Sequence, residues 1–264
     1  ISFCAFFFSF TNQVSIEASS DDNNSINYVH LKNTSNNLST IYSTSYQNKI
    51  YNQIAKLKKY KNYTIEHPLL ITNPYGTNTT SVYMYFKTSD ELQATYTIHC
   101  EGYNDFSRTL NNNTLSGYTT NHEYLLVGAI PGQINTITVT LTNKQGNPVD
   151  TLSWSYNAPS LQGGDQYLTV DCDDANTSSL SNGLYTVLGN DVTEDSEEQA
   201  YMRLYDNDGI LRSEIPMISY RSHRILFEDN TMYFSISSTK IVGMDQTGYI
   251  SRIYDTGNYK LHHD

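Results

Sequence analysis

The chain has 264 residues, room for one or two domains with a real core. Its formal net charge of −11 opposes a phosphate backbone, so no nucleic-acid partner is expected. Only 16% of residues are charged, 23 are Tyr, and Asn, Ser and Thr fill much of the polar remainder. That mixture of strand formers and turn formers predicts a mostly β protein and argues against disorder.

The chain opens on "ISFCAFFFSF", an apolar run too short to span a bilayer, which takes roughly 20 residues. With "SIEASS" behind it, the run reads as the remnant of a secretory signal over residues 1–18, cleaved after Ala18. Export to a periplasm, the medium or a cell surface follows as the expectation. Cys4 is not read as a lipid attachment site, because Ile1 to Phe3 lack a small residue before it.

Residues 19–62 read as a leader, poor in periodic apolar signal until "YQNKIYNQIAKLKKYK". There Tyr46, Ile50, Ile54 and Leu57 fall on one stripe, which predicts an amphipathic helix over residues 45–61 capped by Ser45. Lys56, Lys58, Lys59 and Lys61 crowd its last turn, where the helix dipole favours cations. Docking on a domain fits this helix better than lying on a membrane, since it lacks a bulky aromatic anchor face. A homodimer, if formed, is expected through this N-terminal region.

Residues 63–158 change to β patterning. "HPLLIT" is extended and "NPYGTN" is a turn. "SVYMYFKT", "QATYTIHC", "EYLLVGAI" and "INTITVTLTN" alternate, and "KQGNPVDTLSWSY" is a turn into a last strand carrying Trp154. About seven short strands in roughly 90 residues predict a β-sandwich of immunoglobulin or fibronectin type. His99 and His122 have no second ligand at metal spacing and are expected to be exposed or packed. Cys100 and Cys172 follow no disulfide spacing rule, and two free thiols are the expectation.

"NAPSLQGGDQ" reads as a linker to a second region, residues 167–264. Its acidic stretches "DCDDANTSS" and "DVTEDSEEQ" are expected to be solvated loops, and "LYDNDG" places Leu204 where a calcium loop needs its first carboxylate. A repeat stands out. "RLYDNDGILRSEI" and "VGMDQTGYISRIY" align at an offset of 39 residues, with Asp206 over Asp245 and Gly209 over Gly248. In each, a β-run meets Asp-x-x-Gly and then a second β-run with an Arg soon after, the pattern of a tight hairpin. "HRILFEDN" and "TMYFSISST" supply two strands between them, so each period of about 40 residues resembles a propeller blade. A propeller closes with at least about four blades. Two fit here, so the expectation is the start of an incomplete propeller. "YKLHHD" falls where the next channel-lining strand would begin.

Together, the "NPYG" segment with its following strand, the Asp-x-x-Gly hairpins and "LHHD" resemble the bacterial aryl-sulfate sulfotransferases that need no nucleotide sulfate donor. The resemblance runs from about Tyr63 onward. It implies an N-terminal β-sandwich and a six-bladed propeller, with no cofactor. It implies transfer of a sulfuryl group from an aryl sulfate to a phenolic acceptor through a transiently sulfated histidine. The His-His-Asp histidine of that site maps to His263, with His262 as the close second. The family's sulfated histidine and arginine belong to later blades and have no counterpart here.

The residue chemistry is consistent with that role. An imidazole nucleophile divides one hard transfer into two easier ones, and donors must surround the negative sulfuryl oxygens. A histidine can donate to such an oxygen or protonate a departing phenolate near neutrality. On a regular strand His262 and His263 face opposite sides, and Asp264 shares the side of His262. The competing expectation is a secreted, non-catalytic binding or adhesion module built from the same sandwich and repeats.

Overall fold

A computed structural model of the chain describes residues 26–111, 117–164, 183–187, 199–219 and 225–261. The described part is mostly β, with two helices near the start. Residues 1–18, expected to be a signal remnant, Cys172 and both acidic stretches of the second region fall outside the described residues, save the end of the second stretch.

The residues 26–43, expected to be a linker, pack instead. Val29 N donates to Leu70 O at 2.8 Å, and Tyr28 forms a parallel bridge with Leu70. The Trp154 indole N–H donates to the Tyr28 hydroxyl at 2.8 Å. A short helix α1, Leu38–Ile41, buries Ile41. Composition hid this, because the anchoring aromatics are few and their partners lie far along the chain.

Helix α2 spans Thr44–Tyr60, and its cap is Ser43, not Ser45. Ser43 has extended backbone and its hydroxyl accepts from Tyr46 N, which satisfies a free helix donor. Tyr46, Ile50, Ile54 and Leu57 are buried as the stripe predicts, joined by Gln47. The helix is docked: Lys58 reaches Glu123 at 2.6 Å and lies over the Tyr85 ring. Among the described residues no helix is long and apolar enough to cross a membrane.

The sandwich contains β1 (Leu69–Thr72), β2 (Val82–His99), β3 (Phe106–Leu110), β4 (Thr119–Leu126), β5 (Ile134–Thr142) and β6 (Pro148–Asn157). Two expected strands are one, because β2 runs through both layers. Its first half pairs with β1 and β4, and its second half with β3 and β5, which pairs onward with β6. All pairs are antiparallel. The first half of β2 is buried on both faces. Met84 and Phe86 share a face with His122 and Tyr124, while Tyr83 and Tyr85 share one with Glu123 and α2. The second half alternates, with Ala94, Tyr96 and Ile98 inward and Thr95 and Thr97 partly exposed. Trp154 is buried, as expected of the last strand.

The second region forms two sheets. One contains β7 (Tyr185–Val187), β8 (Ala200–Tyr205) and β9 (Leu211–Met217). The other is a four-stranded meander of β10 (Ile225–Glu228), β11 (Thr231–Ser237), β12 (Lys240–Asp245) and β13 (Ile250–Asp255). The described residues do not form a closed propeller. One hydrophobic core runs through α2, the sandwich and both sheets, taking in Met202, Ile215, Phe234 and Ile250.

Candidate functional site

The two Asp-x-x-Gly turns repeat atom for atom. Asp206 Oδ1 accepts from the backbone N–H of Asp208 and Ile210, each at 2.9 Å. Asp245 Oδ1 accepts from Thr247 N at 2.8 Å and Tyr249 N at 3.1 Å. In both turns the glycine N–H closes on the aspartate carbonyl, and Gly209 and Gly248 hold positive φ of 74° and 86°. That conformation costs glycine little and other residues more. In each turn one carboxylate oxygen is thus spent on the backbone of its own turn.

Both turns dock on the sandwich, through different chemistry. In the first, the buried Arg212 donates from Nε to Asp206 Oδ2 at 2.6 Å, from Nη1 to Gly128 O at 3.1 Å and from Nη2 to Asn104 O at 2.8 Å. In the second, Thr77 Oγ1 donates to Gly248 O at 2.6 Å. Gln47 Oε1 accepts from Ile250 N, while its amide donates to Ile41 O and Tyr75 O.

Between them lies a buried polar junction. Glu214 accepts from Gln162 N at 2.5 Å, Gly163 N at 3.1 Å and Thr79 Oγ1 at 3.4 Å. Burial pushes its carboxyl above the usual range, and the backbone donors and Arg203 pull it partly back. Arg203 donates to Gly164 O and Gly163 O at 2.9 and 2.8 Å. Ser213 donates to Asn78 Oδ1 at 2.7 Å, and Thr80 Oγ1 reaches Ser213 Oγ and Arg212 O. Sequence reading noted an Arg soon after each turn but missed what it holds. Arg212 is 1% exposed with protein acceptors at three nitrogens, so it is a docking group and not a sulfuryl clamp.

The predicted site residues His262 and His263, with Asp264, lie outside the described residues. The last described residue, Leu261, donates its N–H to Ser238 O at 2.6 Å, beside the β11–β12 turn. Of the other histidines, His99 is exposed and pairs with Asp105 at 2.7 Å. His122 is buried, stacked on Phe86 at 4.4 Å and bonded to Thr88 and Tyr124. Burial depresses its pKa to about 4. Clefts on the described surface include two lined mainly by polar groups. One of about 310 Å³ contains His30 but no arginine, and one of about 360 Å³ contains Arg108 but no histidine. Neither brings a histidine and an arginine together.

An immunoglobulin-like sandwich, joined through a buried polar junction to sheets built on Asp-x-x-Gly hairpins, defines a two-part β protein. Comparison with known families gives that class a name. Residues 69–158 match the arylsulfotransferase Ig-like domain, and residues 169–264 match the arylsulfotransferase domain itself. The chain belongs to the arylsulfotransferase family. No curated protein matches it.

Proposed function

We propose that this chain belongs to an exported enzyme that moves a sulfuryl group from an aryl sulfate to a phenol by way of a sulfated histidine. The observation that carries this reading is the match of residues 169–264 to the arylsulfotransferase domain, a stretch that includes His262 and His263. In the first half-reaction an imidazole nitrogen attacks sulfur, the S–O bond to the aryl group breaks and the phenolate leaves with the electron pair. In the second, the acceptor phenol loses its proton, its oxygen attacks sulfur and the N–S bond breaks. His263 is assigned the task of donating to a sulfuryl oxygen or to the departing phenolate.

The test is release of nitrophenolate from 4-nitrophenyl sulfate with excess phenol present. The 264-residue chain is expected to show none above background, because the family resemblance assigns the sulfated histidine and its arginine partner to later blades. A chain continued through whatever its gene encodes after Asp264 is expected to turn over. A continued, folded chain that leaves the aryl sulfate intact would sink the reading.

A further inference from the structure

We infer that the sandwich is the template on which the first repeat sheet folds, and that the Glu214 carboxylate couples the two. The inference is independent of the reaction proposed above. A flexible tether between modules would leave its backbone to water. Here the Gly-Gly connection is held on both sides by strands of the second region. Glu214 of β9 takes the N–H groups of Gln162 and Gly163, and Arg203 of β8 takes the carbonyls of Gly163 and Gly164. The close approach requires a small residue: a Cβ on Gly163 would stand 2.6 Å from the Tyr201 ring and 2.9 Å from Arg203 Nη2.

The same strand β9 is gripped from the sandwich side. The loop after "NPYG" presents Asn78, Thr79 and Thr80, each 5% exposed or less, to Arg212, Ser213 and Glu214. Thr79 N donates to Glu214 O at 3.3 Å, a backbone bond between the modules. Tyr42 from the N-terminal segment adds a hydroxyl bond to Pro216 O at 2.6 Å. Arg212, Ser213 and Glu214 are all at most 1% exposed, and apart from Arg212 Nε, which Asp206 holds, their side chains are bonded to the other module or to the connection. Unfolding either side strands the other's buried polar groups, which is what makes two modules behave as one. By contrast β10, the outer strand of the second sheet, exposes Leu226 and Phe227 at 58% and 73%.

The experiment is urea unfolding of the 264-residue chain with two readouts. Trp154, the single tryptophan, reports the sandwich by fluorescence. Amide hydrogen exchange of peptides covering residues 199–217 reports the first repeat sheet. Coincident midpoints are expected. In a Thr79→Val, Thr80→Val variant, which leaves the apolar core unchanged, both midpoints are expected to fall together. Exchange of the Gln162 and Gly163 amides should rise at least about tenfold there, as local opening becomes easier. Glu214→Gln should do the same more strongly, and the threonine variant stands if Glu214→Gln does not fold. A sheet that opens at lower urea than Trp154 in the parent chain overturns the inference. So does a threonine variant that shifts the sheet and leaves the Trp154 midpoint in place.

Discussion

Arg212 Nε meets Asp206 Oδ2 at 2.6 Å across a single hairpin, six residues apart and with both side chains almost fully buried. The guanidinium lies 5.4 Å from the Phe106 ring centroid and spends its remaining contacts on two sandwich carbonyls. One residue thus finishes a turn and fastens it to a neighbouring module.

Replacing Arg212 by Met leaves Asp206 as an uncompensated buried charge, which costs about 3–5 kcal/mol when a buried pair is broken from one side. Urea denaturation should show that loss. Arg212→Lys should recover only part of it, because one ammonium cannot reproduce three donors aimed in three directions. The Asp206→Asn, Arg212→Met double variant should lose less than the sum of the singles.

His122 should make the fold acid-sensitive. Its pKa is depressed from 6.5 to about 4 by burial, so the folded chain holds it neutral while the unfolded chain protonates it. Between pH 6.5 and about 4 the unfolded state therefore binds more protons, and stability falls as pH falls. The loss is on the order of 2–3 kcal/mol, complete near the folded pKa. His122→Gln, which keeps hydrogen-bonding capacity without the titration, should flatten that limb of the stability–pH curve. An unchanged limb would place the acid sensitivity in the carboxylates.

Gly248→Ala should be costly for two reasons. A side chain at φ 86° is strained, and its Cβ would come within 2.9 Å of Thr77 Oγ1, the group that bonds Gly248 O. Strain alone is about 1–2 kcal/mol, and loss of a buried hydrogen bond adds about 1 kcal/mol. Thr77→Val removes only the second part. Midpoints of thermal unfolding for the two variants should rank in that order.

In a catalytically competent, continued chain, His263→Ala should lower kcat/KM by about a hundredfold or more, the scale for removing one positioned acid or donor. His262→Ala should do less if strand alternation turns it from the channel. Equal and negligible effects of both would remove "HHD" from the chemistry.

What was legible in the sequence was local. The stripe of Tyr46, Ile50, Ile54 and Leu57 fixed the buried face of α2, and Asp-x-x-Gly at a 39-residue offset fixed two turns that superpose bond for bond. The "NPYG" turn holds Asn73 and Gly76 at positive φ, as those residue types allow. What was hidden is long-range. Nothing near Tyr28 announces Trp154, 126 residues on, and nothing near Glu214 announces the backbone of Gln162, 52 residues back. The fusion of two strands into β2 was missed because Ser89, Asp90 and Glu91 look like a turn, and β3 was missed because only Phe106 points fully inward. His262 and His263 were legible only as a motif.

The strand β2 carries a lesson for anyone grafting onto this scaffold. Its register against β4 slips between Lys87 and Leu92, where Ser89, Asp90 and Glu91 are exposed. An inserted epitope or fluorophore loop there would lengthen an existing irregularity. One residue added between Val82 and Phe86 would instead turn the side chains on one side of it to the opposite face. Added after Met84, for example, it would turn Tyr85 away from the helix and Phe86 away from the layer behind. A few residues thus separate a permissive splice point from a far less permissive one.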